Sequence, residues 1–215
     1  MFQKLSNFIK NCRIAEGGSL LILTRHLYYK SIGKNILAHS STRILNLKNV
    51  TVNGSLTIGM DYVGFTNKYD KTFLRVNGKL IVNGNHRINK GCRFDIQKDA
   101  HVELGDSTYI NPNSLFVISH SLKIGNNCAI SWNCQFLDED FHCISYPGRK
   151  DSAAKGIVIG NNVWIGSNSV ILKGTVIPDG CVVAANSVVR GSGFVPHSLI
   201  AGNPAKTIKT GVSWS

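Results

Sequence analysis

Apolar side chains recur every six residues between residues 157 and 190 of the chain. The repeated positions carry branched aliphatic residues: Ile159, Ile165, Ile171, Ile177, Val183 and Val189. Two residues before most of them lies a smaller side chain: Val163, Ser169, Thr175, Cys181 and Ser187. Neither a helix, with its period of 3.6, nor an ordinary strand, with its period of 2, produces this pattern. It predicts a β-solenoid built from short strands, in which residues about 18 apart stack on one another.

The same period begins near residue 44 and continues less evenly up to Phe136. The matching positions are Val52, Ile58, Val76, Val82, Ile88, Phe94, Leu104, Ile110, Phe116, Ile124 and Ile130. We therefore expect an all-β solenoid over residues 46–190. A segment over residues 1–45 precedes it, and an irregular segment over residues 191–215 follows it.

Residues 1–13 carry an amphipathic pattern that predicts a short helix. Its apolar side consists of Phe2, Leu5, Phe8, Ile9 and Cys12. Two interpretations remain open for this helix. It covers the end of the solenoid or packs on a neighbouring subunit, or it makes a peripheral contact with a membrane surface.

The six-residue period fails at His142. This residue occupies the aliphatic position six residues after Phe136, and Asp140 occupies the small-residue position. An external loop over residues 143–156 follows, and such loops often carry function. If residues 138–142 are extended, Asp138, Asp140 and His142 share one face. A carboxylate beside an imidazole raises its basicity, which suits a general base that removes a proton from a hydroxyl. The alternative is a loop histidine that merely has acidic neighbours.

Composition narrows the classes of function. The apolar content of 43% and the charged content of 17% exclude a disordered chain. The net charge of +12 comes from scattered Lys and Arg residues, so we expect an anionic substrate, a phosphorylated cofactor or a membrane surface and no nucleic acid. No apolar run approaches the roughly 20 residues of a membrane span. The N-terminus lacks a signal-peptide pattern, so we expect the chain in the cytoplasm or at the inner face of the membrane.

The cysteines and histidines bear on metal chemistry. Three of the six cysteines, Cys128, Cys134 and Cys181, occupy small-residue positions, which predicts buried free thiols. The chain has no CxxC pair and no local histidine pair with ligand spacing, so we expect no metal. A metal-binding assembly that uses histidines of neighbouring subunits is the alternative.

The segment from Ile124 to Lys209 resembles the hexapeptide-repeat acyltransferases. The similarity is carried by IVIGNNVWIGSNSVILKGTVIPDGCVVAANSVV followed by AGNPAK. With DEDFHCI upstream, it is similar to the sugar O-acetyltransferases, both the galactoside and maltose enzymes and those that modify capsule or O-antigen polysaccharides. The resemblance implies a left-handed parallel β-helix, a homotrimer with sites between subunits, and acetyl-CoA as donor. It also implies that His142 is the catalytic base, with Asp140 orienting its ring.

The resemblance further implies a set of binding residues. The acetyl-CoA site would use Trp164, Ser167, Ala185, Lys206 and Lys209. The carbohydrate acceptor would contact Asn111, His120 and Asp138. His120 stands where the sugar enzymes carry an acidic residue, which argues against a simple galactoside.

We therefore expect an acetyl-CoA-dependent O-acetyltransferase of a sugar hydroxyl in bacterial surface polysaccharide. Two other functions remain open. One is N-acetylation of an amino-sugar nucleotide, and the other is a non-catalytic or metal-binding β-helix assembly.

Overall fold

The computed structural model describes residues 2–61, 63–142, 147 and 156–215, with the backbone alone for Phe2, Lys4 and Leu5. It begins with two helices, α1 (Phe2–Ile14) and α2 (Ser19–Ser31). The strands are β1 (Ile36–Ala38), β2 (Arg43–Leu45), β3 (Val50–Ile58), β4 (Phe73–Val76), β5 (Lys79–Ile88), β6 (Arg93–Ile96), β7 (His101–Leu104), β8 (Tyr109–Ile110), β9 (Leu115–Ile118), β10 (Ser121–Ile124), β11 (Ala129–Ile130), β12 (Gln135–Leu137), β13 (Ile157–Ile159), β14 (Trp164–Ile165), β15 (Val170–Leu172), β16 (Val176–Ile177), β17 (Val182–Val183), β18 (Val188–Val189), β19 (Ser198–Gly202) and β20 (Ala205–Thr210). A 3₁₀ turn, Leu47–Asn49, precedes β3.

The strands stack in parallel on three sides of a coil. Sheet 1 has two arms that share the long strand β5. The first arm continues through β7, β10, β13 and β16, and the second through β8, β11, β14, β17, β19 and β20. Sheet 2 forms the third side, in the order β18-β15-β12-β9-β6-β4-β2. Successive strands of the chain thus lie on different sides, and each pairs with strands one turn away.

The stacking confirms the repeat that the sequence predicted. Ile165 pairs with Val183, and Ile171 with Val189, at the predicted separation. Earlier turns are longer, because Phe116 pairs with Phe136 across more intervening residues. Parallel pairing also begins before the expected start at residue 46, since β1 already pairs with β3.

The core is a column of side chains that point into this narrow coil. The aliphatic positions of the repeat are buried almost completely, except Val52, which is partly buried. In the middle of sheet 2 the column is aromatic. Phe116 stacks on Phe94 with ring centroids 4.2 Å apart and on Phe136 at 4.6 Å. Stacked rings fill the interior without voids, and close packing of this kind carries much of a fold's stability.

The small positions of the repeat lie at buried corners, where their polar atoms bind backbone carbonyls. Thr108 Oγ1 donates to Gly125 O at 2.8 Å, and Cys128 Sγ lies 3.1 Å from Gly160 O. The predicted burial of Cys128, Cys134 and Cys181 as free thiols is confirmed.

A ladder of Asn and Asp side chains runs along the corner between the two arms of sheet 1. Each side chain accepts a hydrogen bond from the backbone N–H of its counterpart one turn earlier. The bonds are Asn85 N to Asp106 at 2.6 Å, Asp106 N to Asn126 at 2.8 Å, Asn126 N to Asn161 at 2.9 Å and Asn161 N to Asp179 at 2.7 Å. The ladder satisfies backbone donors that the turns leave outside the sheets.

The N-terminal region contains more helix than the sequence pattern indicated. The helix expected over residues 1–13 is α1, and it buries Cys12. The second helix, α2, was not predicted, because apolar residues lie on both of its sides. It buries Ile22 and Tyr29 and packs against β1 at the end of the coil.

The expectation of an irregular C-terminal segment was wrong. Strand β19 continues sheet 1 by pairing in parallel with β17, and β20 returns antiparallel to it. The six-residue period disappears because an antiparallel hairpin needs no small residue at a buried corner. The hairpin places β20 at the edge of the second arm.

We expect Phe116→Ala to lower the free energy of unfolding by about 3–5 kcal/mol, because the cavity would interrupt the ring column on both sides. Chemical denaturation measures this loss. The exposed control Lys123→Ala should change stability by less than about 0.5 kcal/mol. Equal stability of the two variants would contradict the role given to the column.

Candidate functional site

Asp138 leaves sheet 2 directly after β12 and is fully buried. Its carboxylate accepts backbone hydrogen bonds from Ser119 at 2.7 Å and from His120 and Ser121 at 2.8 Å each. Two of these donors lie in the turn between β9 and β10, and Ser121 is the first residue of β10. Both carboxylate oxygens thus bind backbone N–H groups of the same chain, and the expected contact of Asp138 with the acceptor stays a prediction.

The next carboxylate, Glu139, reaches the same turn from outside. His120 Nε2 lies 2.8 Å from Glu139 Oε2, and both side chains are partly exposed. This hydrogen bond lowers the pKa of the Glu139 carboxyl below its usual value. An imidazole–carboxylate pair therefore exists here, but it joins His120 to Glu139. Its use in acceptor binding stays a prediction.

Asp140 pairs with Lys173, which follows β15 one turn later. Asp140 Oδ2 lies 2.7 Å from Lys173 Nζ, and Lys173 is almost completely buried while Asp140 is exposed. The bond ties the departing chain to the next turn of the coil. An ammonium group buried this deeply needs an anionic partner, because its desolvation is costly.

His142 lies at the end of this acidic run and is exposed. The condition for a shared face, an extended backbone over residues 138–142, is not met: β12 ends at Leu137, and Phe141 has a φ of 61°. The turn at Phe141 breaks the alternation that would have aligned both aspartates with the imidazole. Instead Asp138 binds backbone and Asp140 binds Lys173. Of the external loop predicted over residues 143–156, residues 143–146 and 148–155 lie outside the described part of the chain.

We call this region the exit corner; it comprises residues 119–121, residues 138–142 and Lys173. The sequence analysis missed Glu139 and Lys173. A signal for Lys173 existed, since it lies two residues after the inward Ile171 and alternation points it inward. Asp138 has the same relation to Phe136, and β12 pairs with β15 in that register.

The residues expected at the acetyl-CoA site lie on the second arm and beyond it. Trp164 is exposed on the outer face of β14, and its indole N–H donates to Ser131 Oγ at 3.0 Å. The Trp214 ring lies 6.2 Å from it, centroid to centroid. Trp214 is held by its own N–H, which donates to Asn162 O at 2.8 Å. Sequence reasoning missed Trp214, because only the hairpin brings the C-terminus back to this face.

One row of paired residues leads from Trp164 to Lys209. Trp164 pairs with Val182, Val182 with Leu199, and Leu199 with Lys209. Three strand spacings of about 4.8 Å separate the ends of this row by about 14 Å. Lys206 lies on the same strand, β20, and both lysines are exposed. An aromatic surface and a basic edge therefore lie along one side of the coil.

A second corner precedes sheet 2, and we call it the entry corner; it comprises Asn111, Ser131, Gly166, Ser167 and Ala185. Ser167 O accepts the backbone N–H of Asn186 at 2.9 Å, which stacks consecutive turns here. Asn111 is half-buried, and its side-chain oxygen accepts a hydrogen bond from Asn89 Nδ2 at 3.3 Å. Ala185 is exposed on the next turn.

The structure thus divides the predicted residues into two groups within one chain. His120, Asp138, Asp140 and His142 lie at the exit corner, and the other group lies at the entry corner and on the second arm. The sheet-2 strands, which are two to four residues long, lie between the two corners.

A groove of about 580 Å³ lies where the chain passes from the entry corner into the sheet-2 strands. It is lined by Gly91, Arg93, Asn113, Ser114, Leu115, Asn133, Gln135 and Asn168. None of the site residues predicted from the sequence lines it.

The buried thiols are poor nucleophiles. Burial raises the pKa of Cys92 to about 12 and that of Cys134 to about 11, and it also raises the pKa of Cys128. At neutral pH these groups stay protonated, and the thiolate is the reactive form. Cys143, next to His142, lies outside the described residues. Among the residues that the structure does describe, no three His, Cys, Asp or Glu side chains are grouped as a metal ion would require.

Residues 156–191 match the family described as bacterial transferase hexapeptide (six repeats). A protein of Klebsiella pneumoniae, described as an uncharacterized 24.8 kDa protein in the cps region, is 37% identical over 217 residues, covering 100% of this chain and 97% of its own. The polysialic acid O-acetyltransferase of Neisseria meningitidis is 27% identical over 152 residues, covering 68% of this chain and 70% of its own. The crystal structure of the polySia-specific acetyltransferase NeuO is 26% identical, covers 84% of this chain and 83% of its own, and gives a TM-score of 0.52.

We expect Asp138→Ala to destabilise the protein by about 2–4 kcal/mol, because three backbone N–H groups lose their shared acceptor. Thermal or chemical denaturation measures the loss. The matched control Asp99→Ala removes an exposed turn carboxylate and should leave stability within about 0.5 kcal/mol. If the Asp138→Ala protein has normal stability and weakened acceptor binding, this structural role is wrong and Asp138 contacts the acceptor instead.

Proposed function

The chain belongs to the hexapeptide-repeat acetyltransferases, and from this premise we propose that it transfers an acetyl group from acetyl-CoA to a sugar hydroxyl of a bacterial surface polysaccharide. The exit corner carries the proposal. There the repeat gives up an inward aliphatic, presents an exposed imidazole at His142, and fixes the preceding residues through three successive carboxylates.

His142 is the proposed general base. Its imidazole takes the proton of the acceptor hydroxyl while the sugar oxygen attacks the thioester carbonyl carbon. A backbone N–H beside the site stabilises the oxyanion of the tetrahedral intermediate. The intermediate collapses, the carbon–sulfur bond breaks, and the imidazolium returns the proton to the departing CoA thiolate. Holding donor and acceptor together supplies a further part of the rate enhancement.

Asp138 and Asp140 are proposed to fix the position of His142. Asp138 fixes the point where the chain leaves sheet 2, and the Asp140–Lys173 pair ties the following residues to the next turn. Both are therefore positioning residues in the proposal, and no carboxylate needs to touch the imidazole. This replaces the direct orientation of the ring by Asp140 that the sequence suggested.

The donor lies, in the proposal, along the row from Trp164 to Lys209. The exposed indole packs against the pantetheine arm near the thioester, and Ser167 and Ala185 line the same arm at the entry corner. Lys206 and Lys209 neutralise the phosphates at the far end. The polarity of the row supports this orientation, because it is aromatic at one end and basic at the other.

We propose that the active protein is a homotrimer of left-handed parallel β-helices. Within one chain the exit corner and the row from Trp164 lie on different sides of the coil. A neighbouring copy, packed side by side, would bring its row to the exit corner and form one cleft from both. The assembly therefore supplies what a single chain separates.

The proposed acceptor is an anionic glycan. The chain carries a net charge of +12, and two of its relatives act on a polymer of acidic sugars according to their names. His120, half-exposed beside Glu139, and Asn111 are the proposed acceptor contacts. A relative in a cps region supports a role in surface polysaccharide, with the enzyme in the cytoplasm or at the inner face of the membrane.

We expect His142→Ala to reduce acetyl transfer by about 10²–10⁴-fold, because general base catalysis contributes about that much. Release of CoA measures turnover, and light scattering checks that the mass of the assembly is unchanged. The control His101→Ala removes an exposed imidazole from the first arm and should keep activity within about twofold. Undiminished turnover of His142→Ala would exclude His142 as the base.

We expect Trp164→Ala to raise the KM for acetyl-CoA about tenfold. A stacked aromatic contact contributes about 1.4 kcal/mol, which corresponds to a tenfold change in affinity. The matched control is Trp132→Ala, which removes another exposed indole that packs on Phe65. The control should leave this KM unchanged. An equal change in both variants, or no change in Trp164→Ala, would contradict the proposed position of acetyl-CoA on the second arm.

A further inference from the structure

Helix α2 turns an apolar surface to solvent. Ile22 and Tyr29 face the coil and are buried, whereas Leu20 is 75% exposed, Leu27 57% and Tyr28 57%. A helix on the surface of a globular protein normally places polar residues on its outer side. The outer side of α2 is apolar instead.

The exposed residues form one stripe. Positions 20, 24, 27, 28 and 31 follow the spacing of a single helical face, and Leu21 and Ile32 border it. Thr24 and Ser31 are small polar residues whose hydroxyls are turned back to the carbonyls of Leu21 and Tyr28. We call this surface the α2 face.

The segment of the chain that contains α2 is strongly basic in sequence. Residues 1–35 contain six cationic residues, Lys4, Lys10, Arg13, Arg25, Lys30 and Lys34, and a single acidic one, Glu16. The Glu16 carboxylate accepts the backbone N–H of Lys68 at 3.0 Å. The segment that carries the apolar stripe therefore has six cationic residues against one acidic residue, a net charge of +5.

We infer that the α2 face docks on an anionic lipid membrane. Apolar side chains enter the boundary between headgroups and acyl chains, while neighbouring Lys and Arg residues attract acidic headgroups. None of the helices in the described part of the chain is long and apolar enough to cross a membrane, so α2 lies along the surface. The sequence analysis left open a membrane contact through residues 1–13; the exposed leucines place the contact on α2.

A second copy of the chain fits this surface less well. Packing two α2 faces together would bring two basic segments into contact, and like charges repel across such an interface. An anionic bilayer covers the same leucines and neutralises the same charges. Charge complementarity therefore favours the lipid surface.

The helix is fixed to the coil, so docking would orient the whole molecule. His26 Nδ1 bonds with Ile36 O at 2.7 Å, and Arg25 donates to His39 O at 3.2 Å and to the Tyr29 hydroxyl at 2.7 Å. The bonds to Ile36 O and His39 O hold α2 on the first turn, and the bond between Arg25 and Tyr29 lies within the helix. The N-terminal end of the coil would then face the membrane, and the rest of the coil would project away from it.

The test is cosedimentation of the full chain with vesicles of phosphatidylcholine alone or mixed with phosphatidylglycerol. We expect binding to the mixed vesicles, at least tenfold weaker binding to phosphatidylcholine, and a steep fall as salt is added. Leu20→Glu/Leu27→Glu should weaken binding to mixed vesicles at least tenfold. Val176→Glu/Val195→Glu adds the same charge at exposed apolar positions far along the coil and should keep binding within about threefold.

A variant without added charge separates lost apolar contact from repulsion, and it also serves if the first variant fails to fold. Leu20→Ser/Leu27→Ser should weaken binding at least fivefold while the molecule keeps its thermal stability. Equal binding to both vesicle types, or equal losses in the α2 and control variants, would overturn the proposal. Sedimentation velocity without lipid tests whether the α2 face is a contact between copies of the chain. A smaller assembly for the α2 variants would show such a contact and overturn the membrane proposal.

The inference does not depend on the proposed reaction. Transfer to a soluble acceptor should be unchanged in the α2 variants, because their residues lie outside the proposed site. Loss of lipid binding with normal acetyl transfer, and the reverse, are therefore distinguishable.

Discussion

The interior of the coil is narrow, and each turn can bury only what the neighbouring turns leave room for. This constraint explains the repeated aliphatics, the stacked rings of Phe94, Phe116 and Phe136, and the small polar residues at the corners. It also makes a polar substitution in the column expensive unless the group is fully bonded. A charged residue that faces inward therefore marks a place where the chain has another task.

The exit corner is such a place. Asp138 and Lys173 continue the inward columns of β12 and β15, and both are buried. The chain offsets their desolvation with three backbone donors for one and the Asp140 carboxylate for the other. The same bonds fix the residues that lead to His142. Stability and placement of the proposed base thus share one set of contacts, although catalysis uses none of the buried groups directly.

The repeat predicted the stacked strands and the buried cysteines because inward positions follow from periodicity alone. The failure of the period at His142 likewise marked the exit corner. The pairing of its carboxylates could not be predicted, since the turn at Phe141 destroys the alternation on which that expectation rested. Trp214 and α2 were missed for related reasons. The hairpin brings Trp214 to Trp164 from distant sequence, and α2 carries apolar residues on two sides.

The separation of the exit corner from the row between Trp164 and Lys209 is the physical reason for the proposed assembly, in which a neighbouring copy would supply the other half of the site. The most direct test of the account is mass spectrometry of an acidic polysaccharide after incubation with the protein and acetyl-CoA. The account predicts acetyl groups that mild alkali removes, as esters of sugar hydroxyls. An unmodified polymer across a panel of acidic glycans, or acetyl groups in alkali-resistant amide linkage, would contradict it.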